Sequence, residues 1–204
     1  MRWIRVSVAA VVAVLASSPG STAAQERSWA VSTDISTAWF GAGAEDQAAG
    51  ISIGPGPGTA FGIGLTHHAG AIRLALRFFR MESGLRLAGE GVTLTADDDG
   101  FTLYEAAQAA GIRLFRLGTA GAGIHLAAGP TFDLWQWAGA DDRTRIGGRA
   151  LLGLQSPIAG TWTLGAWLEG AVSGSVFDDD ELPPEYERPS MLRGRVGVEL
   201  RYGW

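Results

Sequence analysis

Two-residue alternation recurs in eight separate stretches of this chain, and it restricts the fold more than any other feature. "WAVSTDISTAWF" sets Trp29, Val31, Ile35 and Trp39 against Ser32, Asp34 and Ser36. "TAFGIGLTHH" sets Phe61, Ile63 and Leu65 against Gly62, Gly64 and Thr66, and "AIRLALRFF" sets Ile72, Leu74, Leu76 and Phe78 against Arg73, Ala75, Arg77 and Phe79. The pattern returns in "GIHLAAGPTFDLWQW", "TRIGGRALLGLQS", "TWTLGAWLEGAVSGSVF" and the final "RVGVELRYGW". Such a period places successive side chains on opposite faces of a strand. "FTLYEAAQAAGIRLF" alternates loosely, because turning Tyr104, Ile112 and Leu114 outward also turns Gln108 outward. A strand bulged near Gln108 is expected there.

A soluble antiparallel sheet hides its apolar face and wets its polar one. Two features predict the reverse. The charged members of the polar faces match one another: Arg73, Arg77, Arg113, Arg145, Arg149, Arg193, Arg195 and Arg201 meet Asp34, Glu105, Asp133, Glu169 and Glu199. All sixteen basic residues are arginine, whose planar fork of donors suits carboxylates held away from bulk water. The apolar faces, for their part, begin or end in Trp29, Trp39, Trp162, Tyr202 and Trp204, as aromatic belts at bilayer interfaces do.

Closure of eight such strands into a barrel satisfies every backbone group without leaving an edge, which lipid requires. The narrow interior is then filled by side chains, with Phe79, Trp135 and Trp167 joining the charges. Short connections such as "AG", "RLGTAG" and "PIAG" alternate with mostly longer, mainly acidic ones such as "GEGVTLTADDDG" and "FDDDELPPEYERP". Fourteen of the twenty-one acids fall in segments 43–56, 83–99, 138–143 and 177–189, offset there by Arg86, Arg143 and Arg188 alone. One end of the barrel should therefore carry tight turns and both termini, and the other the loops. A basic footprint for nucleic acid is lacking.

The even strand count, the alternation of turns and loops, and "VGVELRYGW" resemble the small eight-stranded outer-membrane proteins of Gram-negative bacteria, of the OmpA membrane-domain and OmpX type. The resemblance covers about 28–204. It implies an all-β, antiparallel, up-and-down transmembrane β-barrel in the outer membrane, with short periplasmic turns and longer extracellular loops. It also implies a monomer in contact with outer-membrane lipid and lipopolysaccharide. The barrel-assembly machinery would read the last strand, where Trp204 stands in place of the usual phenylalanine. Residues 1–24 have the basic start, short apolar run and small-residue end of a cleaved secretory signal, leaving 25–204 as the barrel domain.

Chemistry is sparsely signalled. His67 and His68 are adjacent and face opposite ways, while His68 and His125 share the polar face without a third metal ligand. No stretch matches a nucleophile elbow or a phosphate loop, and "GPGPG" reads as a rigid external loop. No catalytic residue, cofactor or metal is expected. The expected role is structural or surface-interacting. A narrow passage for small or hydrophobic solutes stays open, as does a secreted soluble lipid-binding barrel with its faces inverted.

Overall fold

The protein is seen in a computed structural model that describes residues 29–69, 71–118, 121–137, 141–178 and 181–204, with only the backbone at 97–99. The expected signal segment, 1–24, lies outside the described residues. Nine strands form one antiparallel sheet: β1 Trp29–Phe40, β2 Ala44–Asp46, β3 Ile51–Ala69, β4 Ile72–Gly89, β5 Val92–Leu117, β6 Ala122–Trp137, β7 Arg143–Ala159, β8 Trp162–Ser173 and β9 Met191–Gly203. Neighbours in sequence pair in order, and β1 pairs with both β3 and β9. The eight long strands thus close into a barrel. The three-residue β2 is an appendage paired with the loop-end half of β3.

Which way the faces point follows directly. Along β1, residues alternate exposed and buried without interruption. On β9 Leu200 is 41% exposed, whereas Arg195 and Glu199 are 1% and 2% exposed. Phe61, Ile63, Phe78, Ile146 and Leu168 stand on the outer wall. Apolar side chains therefore coat the outside and charges fill the inside, the opposite of the inverted soluble barrel.

The strands run further than the alternation alone indicates. A tilted membrane-spanning strand needs about 9–11 residues, whereas β4 has 18 and β5 has 26. The stretch "GEGVTLTADDDG", expected as a loop, instead extends the hairpin: the ladder shifts between Ser83 and Leu85, passes over 97–100, and resumes from Leu85↔Ala96 to Gly89↔Val92. Glu90 and Gly91 close it with φ of 47° and 78°. Two successive positive φ values are what a two-residue hairpin turn of type I′ requires, because its twist matches that of the strands. "GPGPG" likewise lies inside β3, and the ladder to β4 shifts between Pro55 and Gly58. Proline lacks a donor, so a bulge absorbs the missing bond.

Two further features differ from expectation. The bulge sought near Gln108 lies instead between Arg113 and Phe115 in the β5–β6 ladder. Gln108 holds register with Leu76 and points outward, so the strand tolerates one exposed amide rather than shifting every later side chain to the wrong face. β8 ends at Ser173, and the rest of its apolar tail, Val176 and Phe177, folds inward over the loop end.

Glycine makes room where large lumen side chains cross the sheet. A Cβ on Gly197 would sit 2.6 Å from Trp167 Cζ2, 2.7 Å from Ser36 Cβ and 2.8 Å from the Ile35 carbonyl oxygen. Backbone and a packed indole have nowhere to go. Gly197→Ala is expected to cost about 1–3 kcal/mol through overpacking, read as a lower urea midpoint of unfolding in lipid vesicles; an unchanged midpoint would contradict the packing described.

Candidate functional site

Among the described residues, buried polar groups concentrate in the lumen, and the ladder sorts them into two tiers. On β9 the inward series runs Arg193, Arg195, Gly197, Glu199 and Arg201, and Gly197 stands opposite Trp167 of β8. Trp167 therefore lies between the tiers. The Arg77 and Arg195 guanidinium carbons lie 5.6 Å and 5.5 Å from its ring centroid, and its Nε1 donates to Asp34 Oδ1 at 3.2 Å. Cation–π contact of this kind strengthens as water is removed.

The tier toward the loop end holds Arg149, Arg193 and Arg195 with Glu105, Asp133 and Glu169. Arg195 Nη2 donates to Glu105 at 2.9 Å and to Glu169 at 2.5 Å. Arg149 Nη1 donates to the other oxygen of Glu169 at 2.9 Å. Arg193 reaches Glu105 at 2.6 Å and Asp133 at 3.1 Å. Arg195 also lies 3.9 Å from the Phe79 ring centroid. Three cations and three anions interlock.

The tier toward the turn end is built around Glu199. It pairs with Arg77, accepts from Arg201 at 2.8 Å and accepts from Gln155 Nε2 at 2.5 Å. Arg77 also reaches Asp34 at 3.4 Å. Gln155 Oε1 in turn accepts from Arg73 at 2.9 Å and from Arg201 at 3.1 Å. Gln155 is the junction that charge counting misses. Its place on the polar face of "TRIGGRALLGLQS" was visible, but a neutral amide gives no charge signal.

Of the thirteen charged residues singled out by sequence, eleven are buried in these tiers. Two lie at the ends. Arg113 is half-buried at the turn-end mouth with His68 and His125. Arg145, half-buried, bonds the Ser175 carbonyl and Asp178, both at 2.5 Å, rather than its cross-strand neighbour Asp133, which Arg193 takes. Arg143, first read as an offset to loop acids, is itself buried and donates to the Val176 carbonyl at 2.8 Å. Its alternation with Arg145 was the available signal.

These arginines hold a cap. Val176 and Phe177 are fully buried, and Phe177 packs edge-on to Phe101 and Trp137. Trp135 completes the cluster against Phe40 and Phe101. Ser175 Oγ donates to the Gly43 carbonyl at 2.6 Å and accepts from the Phe177 amide at 3.0 Å. Glu45 and Glu187 exchange two backbone hydrogen bonds of 2.8 Å, tying β2 to the same loop. Arg143 pairs with Asp178 and Glu181 beyond.

The five belt aromatics are all exposed on the outer wall. Trp162, Tyr202 and Trp204 form a contiguous group at the turn end. Trp29 stacks on His67, with ring centroids 4.4 Å apart, and Trp39 stands at the opposite end of β1. Among the described residues no group of three His, Cys, Asp or Glu side chains could hold a metal ion.

No protein-family model matches the chain, and no curated protein matches it. Solved structures do. Neisserial surface protein A is 16% identical, with a TM-score of 0.62 over 87% of this chain and 97% of its own. The outer membrane protein OprG from Pseudomonas aeruginosa is 8% identical, with a TM-score of 0.55 over 86% of this chain and 96% of its own. At such identities the likeness is one of fold, that of the small eight-stranded outer-membrane barrels.

Two outcomes follow from this geometry. Arg195→Met leaves Glu105 and Glu169 short of a buried partner, and should lower unfolding stability by about 3–5 kcal/mol, measured by urea titration in vesicles. The cap is expected to respond to pH. The hydrogen bond from Arg145 holds the Asp178 carboxyl below its ordinary 3.8. A depressed folded value means that the contribution is present above pH 3.8 and lost as pH falls below it. Amide protection at Val176 and Phe177 should drop on that acid limb in the unaltered chain, and Asp178→Asn should flatten the dependence.

Proposed function

We propose that this chain is a monomeric, integral outer-membrane barrel that catalyses no reaction. Its filled lumen serves as a rigid stalk, and its loop-end hairpins present surfaces to lipopolysaccharide or to other molecules. One observation carries the reading: a predominantly apolar outer wall surrounds an ion-paired interior. An exposed patch of that extent is unstable in water, while a charged lumen is the ordinary interior of a membrane barrel.

The belt supports the same reading. Trp29 and Trp39 bracket the outward run of the 12-residue β1. At about 3.3 Å per residue the ten steps cover ~33 Å, or ~23 Å at a tilt of ~45°. An apolar band of about 25 Å is what such barrels show. On β4 and β5, Arg80 lies over the Tyr104 ring and pairs with Glu82 on the outer surface, which suits the upper edge of that band. In this reading the turn end and both termini face the periplasm, the hairpins face outward, and the assembly machinery takes up the chain through β9.

The narrow-passage alternative is less favoured. Trp167 lies between the tiers and Phe177 covers the loop end, so a solute would have to displace both. The test combines cell fractionation with bilayer recording. Purified chain should partition with outer membranes, migrate differently on a detergent gel before and after boiling, and stay electrically silent at every voltage. Recovery in the aqueous periplasm would overturn the membrane assignment. Steady single-channel currents would instead favour the passage.

A further inference from the structure

The two tiers are not equivalent in charge. Toward the loop end, three guanidinium groups meet three carboxylates. Toward the turn end, Arg73, Arg77 and Arg201 meet only Asp34 and Glu199. The surplus centres on Arg73, which is buried yet donates to the neutral amide oxygen of Gln155.

The sheet concentrates more basic groups on the same spot. His68 stands directly opposite Arg73, and Arg113 directly opposite His125. Arg73 also neighbours Gly111, two residues from Arg113. A guanidinium buried against a neutral amide rather than a carboxylate is costly. Alongside lies a cavity of about 120 Å³ at the turn end, lined by His68, Arg113, His125, Gln155 and Arg201. Arg201 is buried, and its Nε has no hydrogen-bond partner. Arg73 lines the adjoining groove with His68, Arg113 and His125.

We propose that this mouth is an oxyanion site that binds phosphate, either free or as the phosphate of a lipid headgroup. Among the described residues the turn-end tier has one guanidinium more than it has carboxylates, and arginine forks match tetrahedral oxyanions in geometry as well as sign. The cavity holds about four waters by liquid volume, enough for a phosphate group but not for a larger polyanion. Arg73 and Arg201 supply fixed charge from opposite sides of Gln155, and the imidazoles of His68 and His125 bring ring N–H donors to the rim. Occupation would give Arg73 the anionic partner that the Gln155 amide does not supply.

The test uses the folded chain in an uncharged maltoside detergent, free of phosphate. Inorganic phosphate and dihexanoyl phosphatidic acid are titrated separately by calorimetry, against sodium chloride at matched ionic strength. Saturable binding of at least one probe is expected. Arg73→Gln should weaken it about tenfold, the loss of one charge-assisted hydrogen-bonding partner, while Arg73→Lys should retain most of it. Saturation by inorganic phosphate identifies a free anion as sufficient; saturation by the lipid probe alone assigns the site to a headgroup. Should Arg73→Gln fail to give the folded gel band, His125→Gln replaces it, with weaker binding again expected. Neither probe saturating above chloride, or affinity unmoved by the folded variant, would overturn the proposal.

Discussion

Eight strands joined edge to edge enclose a lumen only as wide as the side chains that fill it, and the rest of the structure answers to that constraint. Charges held there have no water to fall back on. Each must find a partner of opposite sign or a fixed dipole, because an unpaired buried ion costs several kcal/mol. The arginine–carboxylate lattice is the result. Arg195 shows how tightly it is drawn: one guanidinium bonds Glu105 and Glu169 while lying over Phe79 and Trp167. Lysine, a point charge on a flexible stem, cannot make two forked bonds and a stacking contact at once. The absence of lysine from the whole chain is consistent with that demand.

The same narrowness explains why small residues face large ones. Gly197 accommodates Trp167, and Gly62 accommodates Phe79, whose ring a Cβ would approach to 2.5 Å. Large side chains thus fill the lumen where small ones make room for them. At its loop end it is sealed by a different means, an apolar cluster of Phe40, Phe101, Trp135 and Phe177. At its turn end it opens into a basic mouth. The two ends of one lumen thus differ in chemistry, and that polarity gives the molecule its direction.

Much of this was legible before any coordinates. Alternation alone located parts of all eight barrel strands, because a period of two cannot be mistaken for a helical face over so many residues. Arginine matched by carboxylate on the polar faces told which side was enclosed. What misled was composition at the loop end. Asp97 to Asp99 and the glycines around them look like loop, and so does "GPGPG", yet the ladder resumes beyond both irregularities, at Leu85↔Ala96 and at Pro55↔Leu85. Local propensity yields there to the hydrogen bonds of an already registered neighbour. Arg145 was misplaced for a related reason. Its face was read correctly, but the reach of its side chain to Ser175 and Asp178 depends on a loop 30 to 33 residues away.

Face, order and closure were therefore written in the sequence, since each follows from local periodicity and from the rule that lipid-facing backbone must be fully bonded. Partnership was not. That Glu199 draws in Arg77, Arg201 and Gln155, that Asp133 takes Arg193 rather than Arg145, and that Arg73 turns to the Gln155 amide are facts of distance across the lumen. Strand stagger sets those distances, and stagger emerges only when β1 meets β9. A single sequence states which charges go inside; the closed sheet alone decides which of them touch.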